Sequence, residues 1–386
     1  MSLFTYSEKA DIEKIYHLYK RLPRGLKSVM ISALYVLNKT FSRKRACYPL
    51  AATFYLTWRC NARCGHCFVC KKLDSGADEL TLSEIKTLFF SLRQTLSRLA
   101  YAGGEPFLRE DIVDISRIVS QSNRVKKIWS GTNGIDSARI YALSEQILKN
   151  IRIPFVVTVS IEGLEATHDT TLGIEGAFKN AVQTIRLLKK LSEKYSHFKI
   201  EVLITISNKN RKELIPLINF IQRELGVYPL TQFLWGSRST CFALDDDAVA
   251  DFNPPNPDFY LPPIEELKVI NEEINDAIRE RSLLFKIEST RRKYLIEIIK
   301  RRKRLFPCCA SQGNNAIIYP DGEVSLCEFS RIIGNVRDHS YDFSALYHSE
   351  KAQILMKKTT LCACTLPYIF TSSMIDDVKI LKEILL

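Results

Sequence analysis

Three cysteines lie close together in a short loop near residue 60. They are Cys60, Cys64 and Cys67, and an extended apolar run at residues 51–58 precedes them. Thiolates prefer soft metals, and iron–sulfur clusters are usually closed by four cysteines. A loop that offers three cysteines therefore predicts a cluster in which one iron stays open to a small molecule.

Short β-type runs alternate with helical patterns along the first 236 residues. The predicted strands are 51–56, 98–102, 126–130, 155–161, 199–206 and 230–234, and the predicted helices are 83–94, 111–120, 137–149, 176–194 and 214–225. We expect Ser83 to be the N-cap of the first of these helices. The alternation is typical of right-handed βαβ units with a parallel sheet. Six repeats predict an α/β fold that contains a partial (β/α)6 barrel of the TIM type.

Further polar and glycine-rich positions follow the other strands of the predicted barrel. They are Gly103, Gly104, Glu105 and Pro106 after the second strand, Asn133 after the third, and Ser160 and Glu162 at the end of the fourth. In parallel α/β folds the ligand binds at the carboxyl ends of the strands, where these residues lie. Two glycines permit close backbone approach, and the Glu105 carboxylate can pair with an ammonium group.

A second group of cysteines lies near the C-terminus of the sequence. Cys309 is followed by twelve residues, Gly322, four residues and Cys327, and the runs 315–318 and 323–326 around residues 319–322 predict a hairpin. The candidate metal ligands in this group are Cys309 (or the adjacent Cys308), Cys327, Cys362 and Cys364. Eleven cysteines in a chain without an export signal favour metal binding over disulfides. Cys47 and Cys241 stand apart, and we expect them to be small apolar residues.

The net charge of +12 is concentrated in two segments. Residues 20–46 carry eight Lys or Arg and no acid, and residues 291–304 carry eight with one acid. The pattern at 27–41 is that of an interfacial helix attracted to anionic headgroups, or of a helix that packs on its own barrel. In the second segment, aromatic residues do not interleave with the basic ones in the way that single-strand binding uses, which disfavours nucleic acid as a partner. With no long apolar stretch and no signal sequence, we expect a cytoplasmic protein, with peripheral contact at the inner membrane face if 27–41 is interfacial.

The cysteine loop and the GGEP sequence about forty residues later resemble those of the radical S-adenosylmethionine enzymes. The resemblance implies that Cys60, Cys64 and Cys67 bind a 4Fe-4S cluster whose open iron holds S-adenosylmethionine. It also implies reductive cleavage to a 5′-deoxyadenosyl radical, which abstracts hydrogen from the substrate. By the same resemblance, the methionine amino group is bound by Gly103, Gly104, Glu105 and Pro106. Ser160 and Glu162 contact the ribose and methionine parts, with Asn133 beside them. His66 lies against the adenine.

The late cysteines resemble the auxiliary-cluster domains of the SPASM and twitch subfamilies, which implies a second 4Fe-4S cluster in a small α+β domain. Two positions depart from the family pattern. Tyr368 stands where relatives often have a further cysteine, and Leu172 in His168-Asp169-Thr170-Thr171-Leu172-Gly173 stands where an arginine is usual. The predicted organisation is basic helices at 1–50, the barrel at 51–236, a linker with basic helices at 237–304, and the auxiliary domain at 305–386.

The resulting hypothesis is a radical S-adenosylmethionine oxidoreductase acting on a peptide, a protein or a small molecule, with flavodoxin or ferredoxin as electron donor. Two alternatives stay open. One is a membrane-surface enzyme of lipid or lipid-linked sugar metabolism, and the other is a non-enzymatic iron–sulfur electron carrier. A closed four-cysteine cluster or zinc site that adds Cys70 to the first three cysteines would bind no S-adenosylmethionine.

Overall fold

The computed structural model describes residues 48–236, 240–242, 256–375 and 377–385, together with Pro23 and Leu26. Its strands are β1 (Ala51–Thr57), β2 (Arg98–Gly103), β3 (Ile128–Thr132), β4 (Phe155–Ser160), β5 (Phe198–Ile206), β6 (Pro229–Phe233), β7 (Cys241–Phe242), β8 (Asn315–Ile318), β9 (Glu323–Ser325), β10 (Ile332–Asn335) and β11 (Ala363–Cys364).

Helices connect the strands and follow them towards the C-terminus. They are α1 (Leu82–Ser91), α2 (Ile112–Gln121), α3 (Ser137–Asn150), α4 (Glu165–Leu172), α5 (Ala177–Lys194), α6 (Leu214–Phe220), α7 (Ile264–Ala277), α8 (Leu283–Arg301), α9 (Phe343–Tyr347), α10 (Glu350–Lys358), α11 (Pro367–Ile375) and α12 (Val378–Leu385). A π-helical turn, Ile221–Leu225, continues α6.

The main sheet has the strand order β10-β9-β8-β1-β2-β3-β4-β5-β6. Strands β1 to β6 are parallel and lie in sequence order, which confirms the predicted partial barrel. Strand β8 pairs in parallel with β1, with Ala51 opposite Asn315, while β9 and β10 continue the sheet as antiparallel strands. The hairpin of the C-terminal segment therefore extends the sheet of the barrel.

Successive side chains of β1 point to opposite faces of the sheet. On the outer face, Phe54 packs against Phe89 of α1, with ring centroids 5.9 Å apart. On the inner face, the buried ring of Tyr55 packs with Trp58 and Tyr319. The outer face thus forms the helix-packed core, and the inner face carries aromatic and polar groups.

Some predicted helix boundaries differ from the observed ones. Helix α1 begins one residue earlier than predicted, and Thr81 is its N-cap, so the assignment of Ser83 to that position was wrong. The Thr81 side chain accepts a hydrogen bond from the Glu84 N–H, and the Glu84 carboxylate accepts one from the Thr81 N–H. This reciprocal pair is a capping box, which Ser83 cannot form because the acid lies only one residue beyond it.

The basic segment 291–304 lies mainly in α8, and several of its side chains pair with other groups of the protein. Arg292 is buried and donates to the side chains of Asn271 and Asn275 in α7. Arg291 pairs with Glu288, and Arg301 pairs with Glu297. The contacts of Arg292 hold α8 against α7, whereas those of Arg291 with Glu288 and of Arg301 with Glu297 lie within α8.

The predicted interfacial helix at 27–41 lies outside the described residues. Before residue 48, the structure describes only Pro23 and Leu26. Among the described helices, none combines the length and the apolar composition that crossing a membrane requires.

Glu84 also links α1 to the turn Arg337–His339 that follows β10. Its carboxylate accepts from Arg337 Nε at 2.7 Å and from the Tyr341 hydroxyl at 2.8 Å. The hydrogen bond from Arg337 is the main cause that lowers the pKa of Glu84 to about 2. We expect Glu84→Gln to destabilise the protein by about 1 kcal/mol at pH 7, because glutamine keeps the cap and loses the charge.

The pH dependence of that loss has a definite sign. Because the pKa of Glu84 is lower in the folded state, its contribution is present above about pH 4.5 and disappears as the pH falls towards 2. Thermal unfolding of the wild-type protein and of Glu84→Gln should therefore differ at pH 7 and converge towards pH 3. Asp114→Asn, which removes an exposed pair with Arg117, is the control. A difference that is equal at both pH values would contradict the assignment.

Candidate iron–sulfur and S-adenosylmethionine site

The cysteine loop leaves β1 and is held by the end of α4. The Arg63 N–H donates to the Leu172 carbonyl at 3.1 Å, and the Gly65 N–H donates to the Thr171 carbonyl at 2.8 Å. Gly173 ends the helix with φ 70°, in the left-handed conformation that favours glycine. The last carbonyls of α4 therefore fix the backbone on which the thiols are mounted.

The three thiols of this loop are half-buried and lie near one another. Burial raises the pKa of Cys67 to about 12. It also raises the pKa of Cys64, and the neighbouring Cys67 and Cys60 raise that pKa further. Such thiols ionise when a cation compensates the charge, as a metal does. The loop thus concentrates soft donors that a cluster would deprotonate.

The donor set fits a cluster better than a single ion. Among the described residues, no three His, Cys, Asp or Glu side chains converge as ligands of one metal ion. A zinc site made of Cys60, Cys64, Cys67 and Cys70 would need such convergence, because all four sulfurs bind the same ion. The cysteines of a 4Fe-4S cluster bind different irons, so they lie farther apart.

The loop after β2 lies directly against the cysteine loop. The Gly104 N–H donates to the Thr57 carbonyl and the Glu105 N–H donates to the Arg59 carbonyl, both at 2.9 Å. A Cβ atom at Gly104 would lie 2.2 Å from the Arg59 oxygen, and Gly103 has φ 140°. Both glycines are therefore required for the two loops to approach this closely.

Glu105 connects the end of β2 to the end of β3. Its carboxylate is buried and accepts from the Phe107 N–H at 3.1 Å, the Thr132 hydroxyl at 3.0 Å and the Asn133 N–H at 2.8 Å. Burial raises its pKa to about 7. Both of its oxygens accept these hydrogen bonds, and its pairing with an ammonium group stays a prediction. Pro106 opens the short turn Pro106–Leu108 that follows.

Asn133 joins the third loop to the first. Its side-chain amide donates to Asn61 Oδ1 at 2.8 Å, and Asn61 lies next to Cys60 in the sequence. The loops after β1, β2 and β3 are thus connected by direct hydrogen bonds.

Ser160, Glu162 and His66 border the same end of the barrel. Ser160 is half-buried at the end of β4. Glu162 accepts from the Thr205 N–H at 2.9 Å, and burial raises its pKa to about 7. His66 Nε2 lies 3.8 Å from Glu162 Oε1, beyond hydrogen-bond distance. Burial lowers the pKa of His66 to about 4, so its ring is neutral at pH 7.

The sequence predicts no helix at α4, although the segment from His168 to Gly173 is similar to a family pattern. His168 Nδ1 accepts from the Glu162 N–H at 2.9 Å, and Asp169 accepts from the N–H groups of Gly176 and Phe178 at the start of α5. Leu172 is fully buried. The segment therefore supports the backbone of the cysteine loop. The His168-Asp169 pair with Gly173 after it is the sequence feature that indicates this segment.

The late cysteines assemble around β11. The thiol of Cys327 lies near those of Cys308 and Cys364, and the thiol of Cys362 lies near that of Cys364. Burial is the largest effect that raises the pKa of Cys327. The Cys309 thiol instead donates to the Ile369 carbonyl at 3.5 Å. The spacing in the sequence favours Cys309 as the ligand, whereas these contacts favour Cys308.

Arg304 lies beside the same group of thiols. Its Nε donates to the Cys362 carbonyl, and its side chain hydrogen-bonds Cys308. Burial acts to lower its pKa, but the neighbouring Cys308, Cys362 and Cys364 raise it above the ordinary value. A small cavity of about 10 Å³ is lined by residues that include Arg304, Cys308 and Cys364. This arrangement offers a cation and soft donors around a small space.

A buried polar pair lies between the two groups of thiols. The Tyr55 hydroxyl donates to Glu328 Oε1 at 3.5 Å. Burial raises the pKa of Tyr55, and Glu328 and, more weakly, Cys67 add to the shift. Glu328 directly follows Cys327 in the sequence. The inner face of β1 is therefore close to both sites.

Comparison with known sequences agrees with this geometry. Residues 54–221 match the Radical SAM superfamily, and residues 308–365 match the SPASM iron-sulfur cluster-binding domain. The chain belongs to the radical S-adenosylmethionine superfamily and carries a SPASM domain. This membership implies S-adenosylmethionine and 4Fe-4S clusters as cofactors.

Curated relatives with similar sequences have different activities. The chain is 30% identical to the AdoMet-dependent heme synthase of Methanosarcina barkeri over 46% of its length and 48% of the relative. It is 27% identical to the antilisterial bacteriocin subtilosin biosynthesis protein AlbA of Bacillus subtilis over 76% of its length and 59% of AlbA. With the pre-heme d1 synthase of Dinoroseobacter shibae, the match covers 39% of the relative. The chain thus spans about two fifths to three fifths of these relatives.

Solved structures share the fold. The Streptococcus suis protein SuiB, solved with the precursor peptide SuiA, aligns with a TM-score of 0.57 at 14% identity, over 86% of this chain and 72% of SuiB. A structure of anSMEcpe with bound AdoMet aligns with a TM-score of 0.55 at 18% identity, over 80% of this chain and 83% of that one. At these identities the likeness concerns the fold alone.

Proposed function

We propose that the protein is a radical S-adenosylmethionine oxidoreductase that modifies a peptide or a protein. The observation that carries the proposal is the cysteine loop, whose three thiols lie at the carboxyl end of β1 and whose backbone is held by α4 and by the loop after β2. Three thiols on one rigid loop are suited to a cluster with one open iron.

Two sets of residues would hold the clusters. Cys60, Cys64 and Cys67 would bind the first, and Cys308, Cys327 and Cys364, with one further thiol, would bind the second. When bound, the first cluster and S-adenosylmethionine supply reductive cleavage of the sulfonium and hydrogen-atom abstraction. A flavodoxin or ferredoxin is the proposed electron donor.

The loops of the barrel then bind and orient the cofactor. Gly103 and Gly104 let the loop after β2 approach the cysteine loop, and this loop, with Glu105 and Pro106, would hold the methionine amino group. Asn133 lies beside it and is joined to the cysteine loop through Asn61. Ser160 at the end of β4 and Glu162 two residues later would contact the ribose and methionine parts. The neutral ring of His66 suits a contact with an uncharged base such as adenine, because stacking there places no unpaired charge against the base.

The interior between the two thiol groups is the proposed substrate space. Tyr55 and Glu328 offer a hydroxyl and a carboxylate there, within a wall of Trp58 and Tyr319. A peptide is favoured over a small molecule because AlbA, which aligns with 76% of this chain, is a bacteriocin biosynthesis protein. The PqqA peptide cyclase of Rhodopseudomonas palustris also matches, at 28% identity over 37% of the chain. The membrane-surface alternative depends on residues 27–41, which lie outside the described residues.

Anaerobic reconstitution with iron and sulfide, followed by dithionite and S-adenosylmethionine, tests the reaction. We expect 5′-deoxyadenosine from the wild-type protein and none from the triple variant Cys60→Ala, Cys64→Ala, Cys67→Ala, measured by chromatography with mass detection. The triple variant controls for free iron and sulfide. If the fully reconstituted wild-type protein forms no 5′-deoxyadenosine, the enzymatic function is excluded and the electron carrier becomes the better hypothesis.

A further inference from the structure

We propose that Cys241 supplies a ligand to the auxiliary cluster, together with Cys308, Cys327 and Cys364. The inference deepens the proposed function, since it depends on the auxiliary cluster that the SPASM domain implies. Cys241 lies outside that domain, in the short strand β7 that follows the barrel. The sequence alone indicates only a small apolar residue at this position.

Strand pairing brings Cys241 to the auxiliary site. Strands β7 and β11 are antiparallel, and Cys241 lies directly opposite Cys364. Opposite residues of an antiparallel pair point to the same face, with Cβ atoms about 4.5–5.5 Å apart. The Thr365 N–H donates to the Thr240 carbonyl at 3.1 Å and fixes this register. The Cys241 side chain therefore lies on the same face as that of Cys364.

The side-chain contacts agree with the strand pairing. The thiol of Cys241 lies near those of Cys362, Cys364 and Cys327. Five thiols thus meet at one place, and a 4Fe-4S cluster is held by four. Cys327 interacts with Cys308, Cys364 and Cys241, which makes these four a connected set around one space.

Cys362 has a different position within the group. Its thiol contacts Cys241 and Cys364, and its carbonyl accepts from Arg304. In the proposed arrangement Cys362 is not a ligand, and its side chain lies beside the ligating Cys241 and Cys364. The auxiliary site therefore includes a residue that is distant in sequence and belongs to the segment after the barrel.

Iron content measures the role of Cys241 directly. In the Cys60→Ala, Cys64→Ala, Cys67→Ala background, bound iron belongs to the auxiliary site, and we expect about four irons per chain after anaerobic reconstitution. Adding Cys241→Ser should reduce the iron by at least about threefold and remove the electron paramagnetic resonance signal of the reduced cluster. Adding Cys362→Ser should leave the iron near its starting level. Full iron with an unchanged signal in the Cys241→Ser protein would overturn the proposal.

A second variant separates ligand loss from a folding defect. Cys241→Asp offers an oxygen ligand at the same position, so we expect it to retain iron and to shift the g values of the reduced auxiliary cluster. Circular dichroism during thermal unfolding establishes that each variant is folded. A Cys241→Asp protein with the g values of its parent would also overturn the proposal. Because the background lacks the first cluster, these results do not depend on whether S-adenosylmethionine is cleaved.

Discussion

Gly104→Ala is expected to lower the rate of 5′-deoxyadenosine formation by about a hundredfold or more. The added methyl carbon would lie 2.2 Å from the Arg59 carbonyl oxygen and 2.8 Å from Cys60 Cβ, so the cysteine loop must move away from the loop after β2. A displacement of about 1 Å at a reacting centre can cost two orders of magnitude in rate. The measurement is initial-rate formation of 5′-deoxyadenosine by the reconstituted protein with dithionite.

Gly131→Ala is the matched control for that substitution. Gly131 lies in β3 of the same barrel, and a Cβ atom there would have no heavy atom within 4 Å. We expect its rate to equal that of the wild-type protein. Iron content should be measured for both variants, because it distinguishes a lost cluster from a misplaced one. Wild-type rates in Gly104→Ala would show that the two loops do not need their close approach.

Cys308→Ser is expected to remove the auxiliary cluster, whereas Cys309→Ser should retain it. The Cys308 thiol lies near Cys327 and Cys364, but the Cys309 thiol donates to the Ile369 carbonyl, a hydrogen bond that serine can also make. In the background without the first three cysteines, we expect the bound iron to fall from about four per chain to near zero for Cys308→Ser alone.

The adjacent cysteines control for each other, since both are buried and both variants remove one thiol from the same turn. Iron and acid-labile sulfide per chain, with the spectrum of the reduced cluster, give the measurement. The opposite result, with iron lost in Cys309→Ser and kept in Cys308→Ser, would return the ligand to the position that the sequence spacing favours.

The barrel could be predicted because its parallel strands are short buried runs between amphipathic helices. Each of β1 to β6 begins within two residues of its predicted start. The rule that ligands bind at the carboxyl ends of parallel strands then placed the loops containing Cys60, Gly104 and Asn133 together, and hydrogen bonds connect them in the structure.

Features that depend on pairing between distant segments could not be predicted. Strand β8 lies beside β1 although more than 250 residues separate them, and no local pattern indicates such a partner. The same reason applies to Cys241 opposite Cys364. The choice between Cys308 and Cys309 depends on which side chain points inward, and spacing in the sequence does not determine that.

Because β8 pairs with β1, the C-terminal segment covers what would otherwise be an open edge of the barrel. Without it, residues 51–54 would present unpaired backbone groups on an apolar strand, which is a template for association with other chains. A fragment that ends with the barrel at residue 236 would thus gain an aggregation-prone edge along the strand that leads into the cysteine loop. The segment that carries the auxiliary cysteines protects the strand that carries the first cluster.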